Sequence, residues 1–225
     1  MANVYFVSGM GASCKVFDRL ELPTYYNKYY LEWRSPFKDE TLEDYAKSLT
    51  MQIKLDESFI LVGYSFGGIV VQEMNKFVTP KKTILIASIK DEEQRPSYFS
   101  FCQFLRIDSF IRPWFFNEKI ISWFFKRFVY KTNGSIDVKE YLPQLNATYI
   151  RWAIKEILKW QPQNTIENLY QIHGTKDLTF PYKKIKSAYP DSSLHFLTIR
   201  DSGHLMVLEK PKEVSEVLCS ILEEV

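Results

Sequence analysis

The chain lacks the features that mark several broad classes of protein. It has only three cysteines in 225 residues, Cys14, Cys102 and Cys219. Their odd number and irregular spacing exclude a disulfide framework and a cysteine-based metal site. The formal net charge is only +2, and no basic stripe with interleaved aromatic side chains is found, which argues against nucleic-acid binding. We therefore expect reduced thiols, no bound metal and no nucleic-acid partner.

Long apolar runs are missing as well. No stretch is long and uncharged enough to cross a bilayer, so we expect no transmembrane segment. The first residues, Met1 to Val4, lead directly into a predicted strand without the basic and apolar segments of a secretory signal. These absences predict a cytoplasmic protein. What the chain does have is 46% hydrophobic residues, enough for one α/β domain with a well-buried sheet and a modest insertion.

Short apolar runs alternate with amphipathic segments along most of the chain. Strands buried on both faces of a parallel sheet show such runs instead of a strict polar alternation. The predicted strands cover 3–8, 28–33, 58–63, 82–87, 169–173 and 194–199, and the predicted helices cover 41–53, 66–78, 181–188 and 210–224. The pattern predicts an α/β fold whose sheet is mostly parallel, has about six strands and carries helices on both faces.

The most informative segment lies between the third predicted strand and the helix that follows it, and reads Gly63-Tyr64-Ser65-Phe66-Gly67. This pattern predicts a nucleophile elbow, a turn so sharp that side chains at the flanking glycines would collide with neighbouring backbone. Such a turn would lift the Ser65 hydroxyl above the sheet edge, close to the free N–H groups of a helix start. The alternative is a strand-to-helix turn that merely uses small residues.

Two partners for a serine nucleophile follow in the order acid, then base. Asp177 comes three residues after the strand that ends at Gly174, and His204 follows the last predicted strand. Because the carboxyl ends of parallel strands meet at one edge of a sheet, Ser65, Asp177 and His204 can converge there. The complete trio favours the nucleophile interpretation over the simple turn.

Other residues compete for these roles less well. Asp91, after the strand that includes Ile84 to Ser88, is a rival acid, although the pattern from Gly174 to Pro181 favours Asp177. His173 lies inside a predicted strand and His195 begins one, so both are expected to be satisfied structural histidines.

These residues resemble the α/β-hydrolase family over nearly the whole chain. The segment Val4 to Gly11 resembles the strand and oxyanion loop of the family, with Ser8 where many members carry histidine, so the chain is expected to begin at the family's usual third strand. The resemblance implies that the backbone N–H groups of Met10 and Phe66 form the oxyanion hole. It also implies a core of residues 1–89 and 163–225 with a helical lid, residues 90–162, inserted after the fourth strand. Cys14, close behind the oxyanion loop, is expected near the pocket.

The predicted lid is unusually aromatic. Residues 98–130 contain thirteen aromatic side chains, more than one helical stripe can bury. Some are therefore expected to line a pocket, a partner surface or a membrane contact, and plain packing is the alternative. The candidate substrate-binding residues are Trp114, Phe116, Trp123 and Phe124. Basic residues interspersed among them would fit an acyl carrier protein or a second copy of the chain, although a solvated helix face explains them as well.

The resemblance and the trio together predict a serine hydrolase without a cofactor. It would cleave a carboxyl ester or thioester of an apolar acyl group through an acyl-enzyme. The serine at the elbow argues against the dehalogenase branch of the family, which uses an aspartate nucleophile. Two alternatives stay open: a specialised activity of the family (lyase, C–C hydrolase or hydrolase of an ester on an acyl carrier), and a non-catalytic binding protein on the same fold.

Overall fold

The computed structural model describes residues 2–99, 138–141, 147–162, 165–190 and 193–224. Its strands are β1 (Ala2–Val7), β2 (Tyr26–Tyr30), β3 (Phe59–Tyr64), β4 (Lys82–Ile86), β5 (Leu169–Gly174) and β6 (Phe196–Ile199). Its α-helices are α1 (Leu42–Thr50), α2 (Phe66–Met74), α3 (Ala147–Lys159), α4 (Tyr182–Ser187), α5 (Met206–Glu209) and α6 (Pro211–Glu223). Short 3-10 helices cover Cys14–Phe17 and Val138–Tyr141.

The strands form one sheet of six in the order β2-β1-β3-β4-β5-β6, and every neighbouring pair is parallel. Central strand β3 is buried along its whole length, whereas the edge strands β2 and β6 are mostly half-buried. This arrangement confirms the predicted fold class. Because all strands run the same way, the ends of β3, β5 and β6 lie at one edge, where the candidate residues follow them.

Each face of the sheet has its own hydrophobic core. Successive side chains of a strand point to opposite faces, so Val4 and Phe6 belong to one core while Tyr5 and Val7 belong to the other. The first core includes the buried side chains of α6, and the second includes those of α1, α2 and α3. Every residue of α2 is buried, which holds the helix that begins directly after Ser65 against the sheet.

Several elements begin or end at other residues than the sequence predicts; helix α2, for example, ends at Met74 instead of at residue 78. Tertiary contacts decide the bounds of β2. Strand β2 covers Tyr26–Tyr30 instead of 28–33. After one further bond, from the N–H of Leu31 to the Phe6 carbonyl (2.9 Å), the chain leaves the sheet, and the N–H of Arg34 donates to the Tyr45 hydroxyl (2.8 Å). Helix α1 is capped by Thr41, whose hydroxyl accepts from the N–H of Asp44, and it ends at Thr50 instead of at residue 53.

The insertion between β4 and β5 is described at its ends. Helix α3 packs on the N-terminal half of the chain, where the indole N–H of Trp152 donates to the Glu40 carbonyl (2.7 Å). Just after the helix, the indole N–H of Trp160 donates to the Glu73 carboxylate (2.8 Å). In the described ranges, no helix is long and apolar enough to span a membrane. The candidate residues Trp114, Phe116, Trp123 and Phe124 lie outside the described residues.

The start of α2 lies in direct contact with the end of β1. A Cβ atom at Gly67 would lie 2.2 Å from the Val7 carbonyl oxygen and 2.3 Å from that of Ser8, far inside van der Waals contact. A Cβ atom at Gly63 would lie 2.4 Å from the Gly67 carbonyl oxygen. Both glycines are therefore required by close backbone approach, and this approach puts Ser65 next to the loop after β1.

We predict that Gly67→Ala lowers the free energy of unfolding by about 3 kcal/mol, because α2 must move away from β1 to admit the methyl group. Urea unfolding followed by circular dichroism measures the change. Gly203→Ala is the matched control, since the nearest atom to a Cβ there is 3.7 Å away. Equal unfolding midpoints for the two variants would contradict the prediction.

Candidate active site

Ser65 has a strained backbone that neighbouring strands hold in place. Its φ is 54° and its ψ is −119°, a combination that residues other than glycine rarely adopt. Its N–H donates to the Ile86 carbonyl on β4 (2.9 Å), and its carbonyl accepts from the N–H of Gly68 (2.9 Å) and the hydroxyl of Ser88 (2.7 Å). These backbone contacts leave the Ser65 hydroxyl free to project away from α2, which it does not cap.

The Ser65 hydroxyl lies at one end of a chain of hydrogen bonds. Its Oγ is 2.9 Å from Nε2 of His204, and Nδ1 of His204 is 2.8 Å from Oδ2 of Asp177. A carboxylate can only accept, so Nδ1 carries the hydrogen. Nε2 of the neutral ring is then a bare acceptor, and the Ser65 hydroxyl donates to it. Residues that follow β3, β5 and β6 thus meet although they are far apart in sequence.

Asp177 is a buried carboxylate with several donors around it. Only 3% of its surface is exposed, and its Oδ1 accepts from the N–H groups of Thr179 (2.8 Å) and Phe180 (2.9 Å). Burial by itself would raise the pKa of Asp177, but the charge and the hydrogen bond of His204 outweigh burial, so the pKa lies below its usual value. The site therefore keeps Asp177 ionised.

The backbone of His204 is fixed as well. Its carbonyl accepts from the Tyr64 hydroxyl (3.0 Å), which connects the histidine loop to the end of β3. Its ring packs against the rings of Tyr64 and Phe180, with centroids 5.6 and 5.5 Å away. Tyr64 belongs to the elbow, so the position of the base depends directly on the strand that carries Ser65.

The competing residues lie elsewhere or behave differently from expectation. Asp91 accepts from the N–H of Gln94 (3.0 Å) and pairs with Lys90 (3.6 Å), and it is Asp177 that lies against His204. His195 stacks on Tyr170 with its Nδ1 3.1 Å from a strand carbonyl. The prediction that His173 is a satisfied structural histidine is wrong in part, because its buried Nδ1 has no hydrogen-bond partner in the part of the chain that the structure describes.

The loop after β1 comes directly against Ser65. A Cβ atom at Gly9 would lie 3.3 Å from Cβ of Ser65, so Met10 begins beside the elbow. Phe66 is the first residue of α2, and the N–H of a first helical residue has no partner inside its helix. Within the described part of the chain, neither the Met10 nor the Phe66 N–H group donates a hydrogen bond. Both donors are thus available for an oxyanion.

Two side chains shape this loop: Ser8, which the sequence analysis placed in it, and Trp33, which the sequence analysis did not identify. The Ser8 hydroxyl donates to the Ala12 carbonyl, which closes the loop on itself. The Trp33 indole N–H donates to the Gly9 carbonyl (2.9 Å), and its ring stacks on Phe66 at 5.5 Å. The sequence could have indicated Trp33 by its position just beyond β2, because β2 ends at the same edge of the sheet as the strand that carries Ser65.

Helix α3 continues this aromatic cluster from the other side. The Tyr149 ring lies 5.4 Å from Trp33, and the Trp152 ring lies 6.1 Å from Phe66. The described C-terminal end of the insertion therefore packs apolar rings against Phe66 and Trp33. The carrier or partner surface predicted for residues 98–130 lies almost entirely outside the described residues.

Cys14, expected near the pocket, is fully buried. Its buried thiol points to the carbonyls of Phe6 and Leu31, both at 3.6 Å, and burial raises its pKa to about 12, which makes it unreactive. Cys219 is a free thiol as well, and Cys102 lies outside the described residues. No metal-binding group of histidine, cysteine and carboxylate side chains occurs among the residues that the structure describes.

Comparison with known proteins gives a family match and many structural neighbours. The sequence model of the alpha/beta hydrolase family matches residues 4–217. No curated protein has significant sequence similarity to the chain.

Solved structures resemble the chain over almost its whole length. A thermophilic esterase from Thermogutta terrifontis has a TM-score of 0.69 at 18% identity, covering 99% of this chain and 89% of its own. A thioesterase of prodiginine biosynthesis from Streptomyces coelicolor has a TM-score of 0.62 at 11% identity, with 99% and 85% covered. An epoxide hydrolase from Bacillus megaterium has a TM-score of 0.65 at 14% identity, with 100% and 94% covered. At these identities the likeness establishes the fold alone.

Proposed function

Because the chain belongs to the alpha/beta hydrolase family, we propose that it is a serine hydrolase that cleaves a carboxyl ester or thioester of an apolar acyl group. The observation that carries the proposal is the hydrogen-bonded chain from Ser65 through His204 to Asp177, with both distances under 3 Å. Pure binding would need none of these three groups in this order. Esterases and thioesterases among the structural neighbours are compatible with the proposal.

The proposed first step is attack by Ser65 on the carbonyl carbon of the substrate. A serine hydroxyl is a weak nucleophile at neutral pH, so His204 removes its proton through Nε2 as the new C–O bond forms. The hydrogen bond to Asp177 holds the ring in the tautomer with hydrogen at Nδ1, and the carboxylate stabilises the imidazolium that results. The low pKa of Asp177 supports this role, because only the ionised acid can compensate that charge.

Negative charge develops on the carbonyl oxygen during this step. The N–H groups of Met10 and Phe66 are the proposed donors to this oxygen. Two observations support this proposal: neither N–H donates a hydrogen bond among the described residues, and Gly9 lies close to Ser65. Collapse of the tetrahedral intermediate releases the alcohol or thiol, which takes the proton from His204. Water activated by the same histidine then hydrolyses the acyl-enzyme, releases the acid and restores the serine.

Aromatic side chains beside the elbow support an apolar acyl group. Trp33, Phe66, Tyr149 and Trp152 lie together above the start of α2, and the predicted lid adds Trp114, Phe116, Trp123 and Phe124. We further propose a cytoplasmic location, for which the free thiols of Cys14 and Cys219 are the support.

We predict that Ser65→Ala abolishes covalent labelling by a fluorophosphonate and lowers kcat on the order of 10⁴- to 10⁶-fold, since no nucleophile remains. Labelling is read by intact-protein mass spectrometry, and turnover with p-nitrophenyl esters. Ser202→Ala is the control, because Ser202 is a buried serine two residues before His204 whose hydroxyl has no hydrogen-bond partner. Undiminished labelling of Ser65→Ala would remove the assignment, and an unlabelled wild type would favour a non-catalytic binding protein.

Asp177→Asn is expected to lower kcat by about 10⁴-fold, because an amide in place of the carboxylate permits the wrong tautomer of His204. Asp91→Asn should change kcat by less than about threefold, since its partners are Gln94 and Lys90. Steady-state kinetics on one ester compare the two variants. A larger loss of kcat in Asp91→Asn than in Asp177→Asn would assign the catalytic acid to Asp91, after the end of β4.

Longer acyl chains should be hydrolysed better, because each buried methylene contributes about 0.8 kcal/mol. Extending the acyl chain from two to six carbons is expected to raise kcat/KM by up to about two orders of magnitude. A panel of p-nitrophenyl esters and acyl thioesters measures this preference and identifies the leaving group. A preference for acetyl over every longer chain would mean that the aromatic side chains fill the site.

The same panel tests the candidate pocket residues. Alanine at Trp114, Phe116, Trp123 or Phe124 should weaken the chain-length preference in folded variants, whereas Phe37→Ala should not, since Phe37 is 72% exposed. An unchanged preference in all of these variants would assign the aromatic side chains of the lid to packing or association.

A further inference from the structure

His173 is a second imidazole beside the proposed acid, and the mechanism above does not use it. It lies on β5, is fully buried, and its Nε2 is 2.8 Å from the Phe180 carbonyl oxygen. The same Nε2 is 3.5 Å from Oδ2 of Asp177, the oxygen that binds His204. Both neighbours of this nitrogen are acceptors, so Nε2 carries the hydrogen when the ring is neutral.

The hydrogen bond of His173 connects the acid loop to β5. The backbone of Phe180 bonds to both residues: its N–H donates to Oδ1 of Asp177 (2.9 Å), and its carbonyl accepts from His173. Its ring also packs against the ring of His204. Without the donor on His173, the Phe180 carbonyl would lose its bond to β5, and the turn that orients the Asp177 carboxylate would be free to shift.

Stability alone does not account for this histidine. Its Nδ1 is inaccessible and has no hydrogen-bond partner among the described residues, and a buried polar atom without a partner destabilises a fold. Burial also lowers the pKa of His173, although the charge of Asp177 acts in the opposite direction. The ring therefore stays neutral, and its N–H directs a partial positive charge toward the acid.

We propose that His173 is a positioning residue for the Ser65–His204–Asp177 chain: its Nε2–H holds the Phe180 carbonyl, and through it the carboxylate of Asp177 against His204. The inference rests on the proposed serine-hydrolase function and adds a residue to it. His173 touches no substrate in this role, so its loss should lower kcat and leave substrate binding nearly unchanged.

The test compares three substitutions of His173. Leucine removes the donor at similar size, glutamine places an amide N–H near the position of Nε2, and asparagine is too short to reach it. For His173→Leu we expect kcat to fall about 10- to 100-fold with KM changed less than about twofold, because small displacements of a catalytic group have effects of this size. His173→Gln should stay within about fivefold of the wild type, whereas His173→Asn should resemble His173→Leu.

His195→Leu is the matched control, since it also removes an imidazole bonded to a backbone carbonyl but lies away from Asp177. Its kcat should be close to that of the wild type. If folded His173→Leu has the kcat of His195→Leu, the inference is overturned. If His173→Leu does not fold, the comparison of His173→Gln with His173→Asn tests the inference instead. Equal kcat values of these two variants would overturn the inference. Fluorophosphonate labelling of Ser65 in the wild type tests the proposed function separately.

The tautomer gives an independent measurement. The chain has three histidines, so imidazole ¹⁵N resonances can be assigned by single substitutions. At pH 7 we expect His173 to be neutral with hydrogen at Nε2. A ring with hydrogen at Nδ1 could not donate to the Phe180 carbonyl, and observing it would overturn the inference.

Discussion

The candidate site depends on the strained backbone of Ser65, which places a hydroxyl where no regular element could. Strain of this kind costs about 1 to 3 kcal/mol and persists only when the surroundings impose it. Here the bond to the Ile86 carbonyl and the close approach of Gly67 to Val7 impose it from both neighbouring strands. The buried helix α2 prevents relaxation from the other side. The central strands of the sheet are therefore the support of the proposed nucleophile.

A second constraint is the burial of charge. A carboxylate as inaccessible as Asp177 is stable only if hydrogen-bond donors replace the lost water. Two N–H groups of its own turn and the ring of His204 supply them. Because these donors must stay in place, the turn after β5 must be rigid. For the same reason, the hydrogen bond of His173 to the Phe180 carbonyl affects the Asp177 carboxylate, although His173 binds only the backbone of the turn. Electrostatics and loop geometry cannot be separated at this site.

The third constraint connects the insertion to the oxyanion loop. Trp33 bonds to the Gly9 carbonyl, stacks on Phe66 and meets Tyr149 of α3. These rings form one apolar cluster above the start of α2, although they come from distant parts of the chain. A change in the position of α3 would therefore be transmitted to the loop that begins at Gly9. Helix α3 and the loop that carries one proposed oxyanion donor therefore share Trp33 as a packing partner.

The sequence by itself determined the parallel α/β fold and the positions of Ser65, Asp177 and His204 after β3, β5 and β6. These features are local: glycine spacing, apolar runs and the order of strand ends do not depend on distant partners. Tertiary structure decided the rest. The bounds of β2 follow from contacts with Phe6 and Tyr45, and the role inferred for His173 follows from Phe180 across a turn. Trp33 contacts Tyr149 only after folding, and side-chain contacts between residues so far apart in the chain leave no periodic or compositional signal.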